Sequence, residues 1–111
     1  LYHNPRCSKS RKALELLREH GMEPEIVLYL ENPPSRTRLK ELLRLLGFGP
    51  RELLRKGEDA YKSLKLDDPG LSEAKLIAAM VENPVLIERP IAVAGRRAVV
   101  GRPPERVLEI L

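Results

Sequence analysis

The sequence has one cysteine, no tryptophan, one phenylalanine and three tyrosines. A lone cysteine excludes an internal disulfide and any cysteine-rich zinc site, and no metal is expected. It fits a reducing compartment, so cytoplasm is the expected location. So few aromatics leave little on which single-stranded nucleic acid could stack. No apolar run approaches the ~18 residues a transmembrane helix needs, and no signal-peptide pattern is visible. Blocks of like charge are missing too. The net charge is +4, but Lys and Arg are interleaved with Glu and Asp along the chain. Neither a nucleic acid nor a membrane is an expected partner.

What is present fits one compact domain of 111 residues, 42% hydrophobic and 32% charged, an ordinary globular mixture. Arginine outnumbers lysine by 13 to 7. The guanidinium is a planar fork that holds a tetrahedral oxyanion at two points, so a small anionic substrate accounts for the charge better than a polymer does.

Apolar residues at Ala13, Leu14, Leu16 and Leu17 predict a helix from Ser8 to His20, stopped by Gly21. Glu25 to Leu30 is short, apolar and flanked by prolines, which reads as a buried strand. Ser35 caps a helix with Leu39, Leu42, Leu43 and Leu46 on one face, ending at Gly47. Short helices follow at Pro50 to Arg55 and Glu58 to Leu64, and a longer one from Ser72 to about Glu82. Ile91 to Ala94 and Ala98 to Val100 read as a hairpin turning at Gly95-Arg96-Arg97. Pro103-Pro104 opens a last helix with Val107, Leu108 and Leu111 inward. Leu1 to His3 would be the first strand. A β-α-β unit and a β-β-α unit in this order give an α/β, thioredoxin-like fold: a four-stranded mixed sheet with flanking helices. The segment from about 35 to 82 would be a helical insertion within a single domain.

Cys7 falls in the turn between the first strand and the first helix. Free backbone N–H groups converge there, and Arg6, Lys9, Arg11 and His3 bring positive charge, so the thiol pKa should lie below its ordinary value. Cys7-x-x-Ser10 has the spacing of a redox Cys-x-x-Cys motif with oxygen in place of the second sulfur. A resolving thiol must therefore come from another molecule. The Cys-x5-Arg phosphate cradle is absent, because position 13 is Ala13.

The segment Tyr2-His3-Asn4-Pro5-Arg6-Cys7-Ser8-Lys9-Ser10-Arg11 resembles the active-site signature of the glutaredoxin-linked arsenate reductases. Tyr29-Leu30-Glu31-Asn32-Pro33-Pro34-Ser35, Leu53-Leu54-Arg55-Lys56, Glu88-Arg89-Pro90-Ile91 and Gly101-Arg102-Pro103 resemble further blocks of that family, in order along essentially the whole chain. The resemblance implies Cys7 as nucleophile and Arg55, Arg89 and Arg102 as the arginines that hold the oxyanion. It implies His3, with Ser10 and Arg11, in substrate binding or in tuning the cysteine. The thioredoxin-like fold further implies a cis peptide bond before Pro90, with Arg89 beside Cys7.

The implied activity is reduction of arsenate to arsenite, with glutathione as co-substrate, glutaredoxin as partner and no bound cofactor. A thiolate and an arsenate anion about 4 Å apart repel by roughly 4 kcal/mol at an effective dielectric of 20. Three guanidinium groups would cancel that repulsion and orient the anion. Two other readings compete with this one. One is an Spx-type redox-linked transcription regulator on the same fold, whose switch calls for a second cysteine where Ser10 stands. The other is a reductase-like protein acting on another oxyanion or on a glutathione mixed disulfide.

Overall fold

A computed structural model describes residues 1–111, and the chain forms two compact units. The first joins Leu1–Asn32 to Arg89–Leu111, and the second is Pro33–Glu88, which contains the expected helical insertion.

In the first unit, helix α1 (Ser8–Glu19) buries Ser10, Ala13 and Leu17, the i, i+3, i+7 stripe of an amphipathic helix. Strands β1 (Ile91–Ala94) and β2 (Arg97–Val100) form an antiparallel hairpin pairing Ile91 with Val100 and Ala94 with Arg97. Gly95, at the turn, has φ of 60°, a conformation that suits glycine. Tyr2 forms an antiparallel bridge to Ile91 and a parallel one to Val27. Its N–H donates to the Ile91 carbonyl at 2.8 Å, and the His3 N–H donates to the Val27 carbonyl at 2.9 Å.

The four expected segments therefore lie side by side in the order Val27, Tyr2, β1, β2. Only the last two are strands of any length; Tyr2 makes one bridge on each side, and Val27 makes one. The run from Glu25 to Leu30 stops pairing after Val27 because the chain folds back. The Glu31 and Asn32 N–H groups both donate to the Leu28 carbonyl, at 3.0 and 2.8 Å. Tyr29, within that turn, is 1% exposed, so the apolar character of this run serves a buried corner.

The C-terminal segment Pro104–Ile110 is the expected last helix, of the 3-10 type. With three residues per turn, Val107 and Ile110 share the inner side, and Leu111 is exposed where the α-helical period placed it inward. Ala13, Leu17, Ala92, Val99, Val107 and Ile110 make the core of this unit. Gly101 lies at its tightest point. A Cβ there would come within 2.8 Å of both Pro90 Cγ and Val107 Cγ1. The Gly101 N–H donates to the Pro90 carbonyl at 2.8 Å.

The second unit begins with α2 (Arg36–Leu46), capped by Ser35 Oγ on the Arg38 N–H and closed by Gly47 in the left-handed region. Helix α3 (Pro50–Leu53) is shorter than expected, because Leu54 is extended and bridges Ile87. Helix α4 (Asp59–Ser63) follows, and then α5 (Glu73–Glu82), capped by Ser72. Helices α2 and α3 both pack on α5, burying Leu39, Leu42, Leu53, Leu76 and Met80. The Arg55 N–H donates to the Leu86 carbonyl at 2.7 Å and the Glu88 N–H to the Leu53 carbonyl at 2.9 Å, which ties the middle of this unit to its C-terminal end. No helix is long and apolar enough to cross a membrane.

Candidate active site

Cys7 is the N-cap of α1, next to helix N–H groups that have no carbonyl of their own. Its placement begins at Asn4, whose carbonyl accepts from the Cys7 N–H at 3.0 Å. The Asn4 side-chain oxygen accepts from the Arg6 N–H at 3.1 Å, an Asx-type turn over Pro5. The Arg11 side chain donates to the Pro5 carbonyl at 2.9 Å, fastening the same turn from the helix side.

Burial is the largest single influence on the Cys7 thiol and pushes it up, but the Ser10 N–H, the Arg89 guanidinium and the Lys9 N–H together outweigh it and bring the thiol below its ordinary value. The two amides stabilise charge on the sulfur without a fully aligned cap bond. Arg89 acts twice, as a hydrogen-bond donor and as a positive charge. The half-buried thiol is therefore more acidic than an ordinary cysteine and open to a small reactant.

Behind the turn lies a buried polar cluster. His3 Nδ1 lies 2.6 Å from the Ser10 hydroxyl, which also accepts from the Asn4 N–H at 3.1 Å. Burial lowers the His3 pKa, helped by neighbouring positive charge that includes Arg18 and Arg11, so the ring is neutral at neutral pH. Ser10 stabilises Cys7 through its backbone N–H, and its hydroxyl is committed to His3 and Asn4.

Arg89 and Arg102 belong to the first unit with Cys7, and Arg102 Nη1 donates to the Arg89 carbonyl at 3.5 Å. Each precedes a proline through a cis peptide bond. The sequence pointed to the bond before Pro90 and missed the one before Pro103. Arg55 belongs to the second unit, where its Nε donates to Glu58 at 3.2 Å and its Nη1 lies 3.9 Å from Glu88. Sequence reasoning also missed two positioning residues. Asn4 was legible as an Asx-turn former before Pro5, and Gly101 as a glycine directly preceding a motif arginine. No three His, Cys, Asp or Glu side chains come close enough to hold a metal ion.

A family model described as ArsC family matches residues 2–110. Over the whole chain the sequence is 60% identical to a protein of Escherichia coli K12 described as uncharacterized protein YfgD, covering 94% of it. It is 48% identical to a protein of Haemophilus influenzae described as arsenate reductase, again over the whole chain and 97% of the relative. A solved structure described as arsenate reductase from Vibrio cholerae superposes with a TM-score of 0.97 at 52% identity, over 99% of this chain and 94% of that one.

Proposed function

Because this chain belongs to the ArsC family, we propose that it is an arsenate reductase whose nucleophile is Cys7. The observation that carries the reading is the meeting of Cys7 and Arg89 at the N-terminus of α1, where one guanidinium both stabilises the thiolate and offers a seat for an anion.

The Cys7 sulfur attacks arsenic and bonds to it, and one arsenate oxygen breaks away. That oxygen is a hydroxyl of hydrogen arsenate and leaves as water by taking up the proton that the thiol gave up on ionising, so Cys7 becomes a thiol–arsenate ester with arsenic still pentavalent. Arg89 and Arg102 hold the oxyanion in two-pronged contacts and offset its repulsion of the sulfur. Arg55 is the third arginine implied by the motif, and the local pairs with Glu58 and Glu88 hold its side chain in place. A peptide thiol of the glutathione class then attacks the Cys7 sulfur. A sulfur–sulfur bond forms, the sulfur–arsenic bond breaks, and its electron pair stays on arsenic, which becomes trivalent. The proton of the incoming thiol goes to the departing arsenite, and Cys7 is left as a mixed disulfide. With no second thiol in the chain, a dithiol partner such as glutaredoxin must return Cys7 to the thiol. These co-reactants belong to the cytoplasm.

The decisive experiment is an arsenite-release assay with arsenate, glutathione and glutaredoxin, run beside phosphate as competitor. Cys7→Ser should abolish turnover and leave the fold intact, because no other side chain offers the nucleophile. Arsenate reduction above background in the serine variant would overturn the assignment. The regulator reading loses ground at Ser10, whose hydroxyl is buried in hydrogen bonds where a switch would need a thiol.

A further inference from the structure

Two cavities border the Cys7 turn within the first unit. The cations of the larger are already committed, Arg11 to the Pro5 carbonyl and Arg18 to Glu23. The other, of about 260 Å³, is walled by Pro5 and Arg6, which lead directly into Cys7, and by Leu28, Leu30 and Glu31. Its two charged walls have opposite sign and are unengaged. Arg6 is held only through its backbone N–H on Asn4, and Glu31 only through its backbone N–H on Leu28. Both side chains are exposed, and between them Leu30 is an exposed large hydrophobic at 42%.

An inorganic oxyanion would use a cation here but would have no use for Glu31 or for an apolar floor. A small zwitterion with an aliphatic middle would use all three. We propose that this pocket seats the peptide thiol that attacks the Cys7 adduct, with its ammonium on Glu31, a carboxylate on Arg6 and its backbone over Leu28 and Leu30. The inference rests on the reductase reading and adds to it a binding subsite for the reductant. Leu28 to Asn32 is held as a turn by the two bonds to the Leu28 carbonyl. That turn, which ended the expected strand early, is what presents Leu30 and Glu31 on the same side as Arg6.

The test removes arsenate altogether. Cys7 is converted to its mixed disulfide with 2-nitro-5-thiobenzoate, and release of the coloured thiolate is timed with glutathione and with 2-mercaptoethanol. In each case the incoming thiolate bonds to the Cys7 sulfur and 2-nitro-5-thiobenzoate departs with the electron pair. Dividing the glutathione rate by the mercaptoethanol rate cancels any change in Cys7 itself. The variants Arg6→Gln and Glu31→Lys should each lower that ratio about two- to fivefold, the range expected for an exposed charge contact. The second is the discriminating one. Glutathione is a net anion, so bulk steering would make Glu31→Lys raise the ratio, whereas loss of the ammonium contact lowers it. A wild-type ratio in both variants, or a raised ratio in Glu31→Lys, overturns the assignment. A protein that fails to reduce arsenate yet shows both falls would refute the reductase reading and keep the pocket.

Discussion

Replacing Gly101 by alanine adds one methyl group, and its consequences can be worked out from two distances. The new Cβ would lie 2.8 Å from Pro90 Cγ and 2.8 Å from Val107 Cγ1, about 1 Å inside ordinary carbon–carbon contact. Neither neighbour yields easily. Pro90 is a rigid ring, and Val107 is fully buried in the core formed with α1 and β2. Overpacking of this kind costs about 1–3 kcal/mol, which at about 4 °C per kcal/mol for a chain of this size lowers the melting temperature by about 4–12 °C. Circular-dichroism melts of four proteins decide the matter: wild type, Gly101→Ala, Val107→Ala and the double variant. Val107→Ala alone should cost about 2 kcal/mol in lost burial and cavity. In the double variant the alanine methyl occupies part of the space that valine vacated, so the total should fall short of the sum by about 1 kcal/mol. A neutral Gly101→Ala, or strict additivity in the double variant, would show that the close approach of Gly101 to Pro90 and Val107 is not what requires glycine here.

The remaining predictions concern the cysteine turn and the arginines. Arg89→Ala should move the pH midpoint of Cys7 alkylation by iodoacetamide upward, because it removes both a hydrogen bond and a positive charge from the thiolate; an unmoved midpoint would assign the lowering to the helix amides alone. Arg55→Ala, Arg89→Ala and Arg102→Ala should slow adduct formation far more than Arg44→Ala or Arg106→Ala, with lysine rescuing only in part; equal effects at all five would indicate general steering, read from single-turnover formation of the adduct by mass spectrometry. Ser10→Ala should cost about 1–3 kcal/mol in urea unfolding, since it strips a buried partner from His3 and from the Asn4 N–H; a loss under about 0.5 kcal/mol, on the order of a surface substitution, would refute that bracing role. Because the folded-state pKa of His3 is depressed, its neutral form contributes stability that is full above the unfolded value near 6.5 and is lost as pH falls below it. The pH 7 to pH 5 drop in melting temperature should therefore shrink in His3→Gln.

The helices were legible because their signals are local. Ser35 and Ser72 cap, Gly47 stops, and the leucine stripe of α2 runs at a helical period, so each decision is settled within a few residues. The sheet was legible only in outline. Apolar, β-branched composition marks a segment that must be buried, and Glu25 to Leu30 is buried at Tyr29, but composition does not distinguish a strand from a turn that carries one buried aromatic. What decides is where the Leu28 carbonyl finds its donors, and both come from three and four residues downstream and not from a neighbouring segment. The same limit explains the C-terminal helix. Val107, Leu108, Ile110 and Leu111 fit periods of 3.0 and 3.6 almost equally well over seven residues, and packing against α1 and β2 selects the tighter one.

At the site, the residue types were legible and the division of labour was not. Cys7 in a basic turn before a helix already predicted a lowered thiol pKa; Arg89 was expected beside it as a seat for the oxyanion, while the lowering was assigned to the nearest cations in sequence. In the folded unit the cation on the sulfur is Arg89, from the opposite end of the chain, and Ser10 and Lys9 contribute through backbone amides that any residue would supply. The side chains nearest in sequence do other work: Arg11 holds the Pro5 carbonyl, and Ser10 with His3 braces Asn4. This arrangement follows from geometry. An N-cap side chain faces the amides of its own first turn, so the polar groups on the same turn point elsewhere, and an outside charge must come from a different element. The β1–β2 hairpin supplies it, because Tyr2 pairs with Ile91 and so anchors the residues just before β1 one strand away from the segment that leads into Cys7. Nucleophile and cation thus meet through a side-chain contact, and the backbone bridge between Tyr2 and Ile91 holds the two segments that carry them side by side.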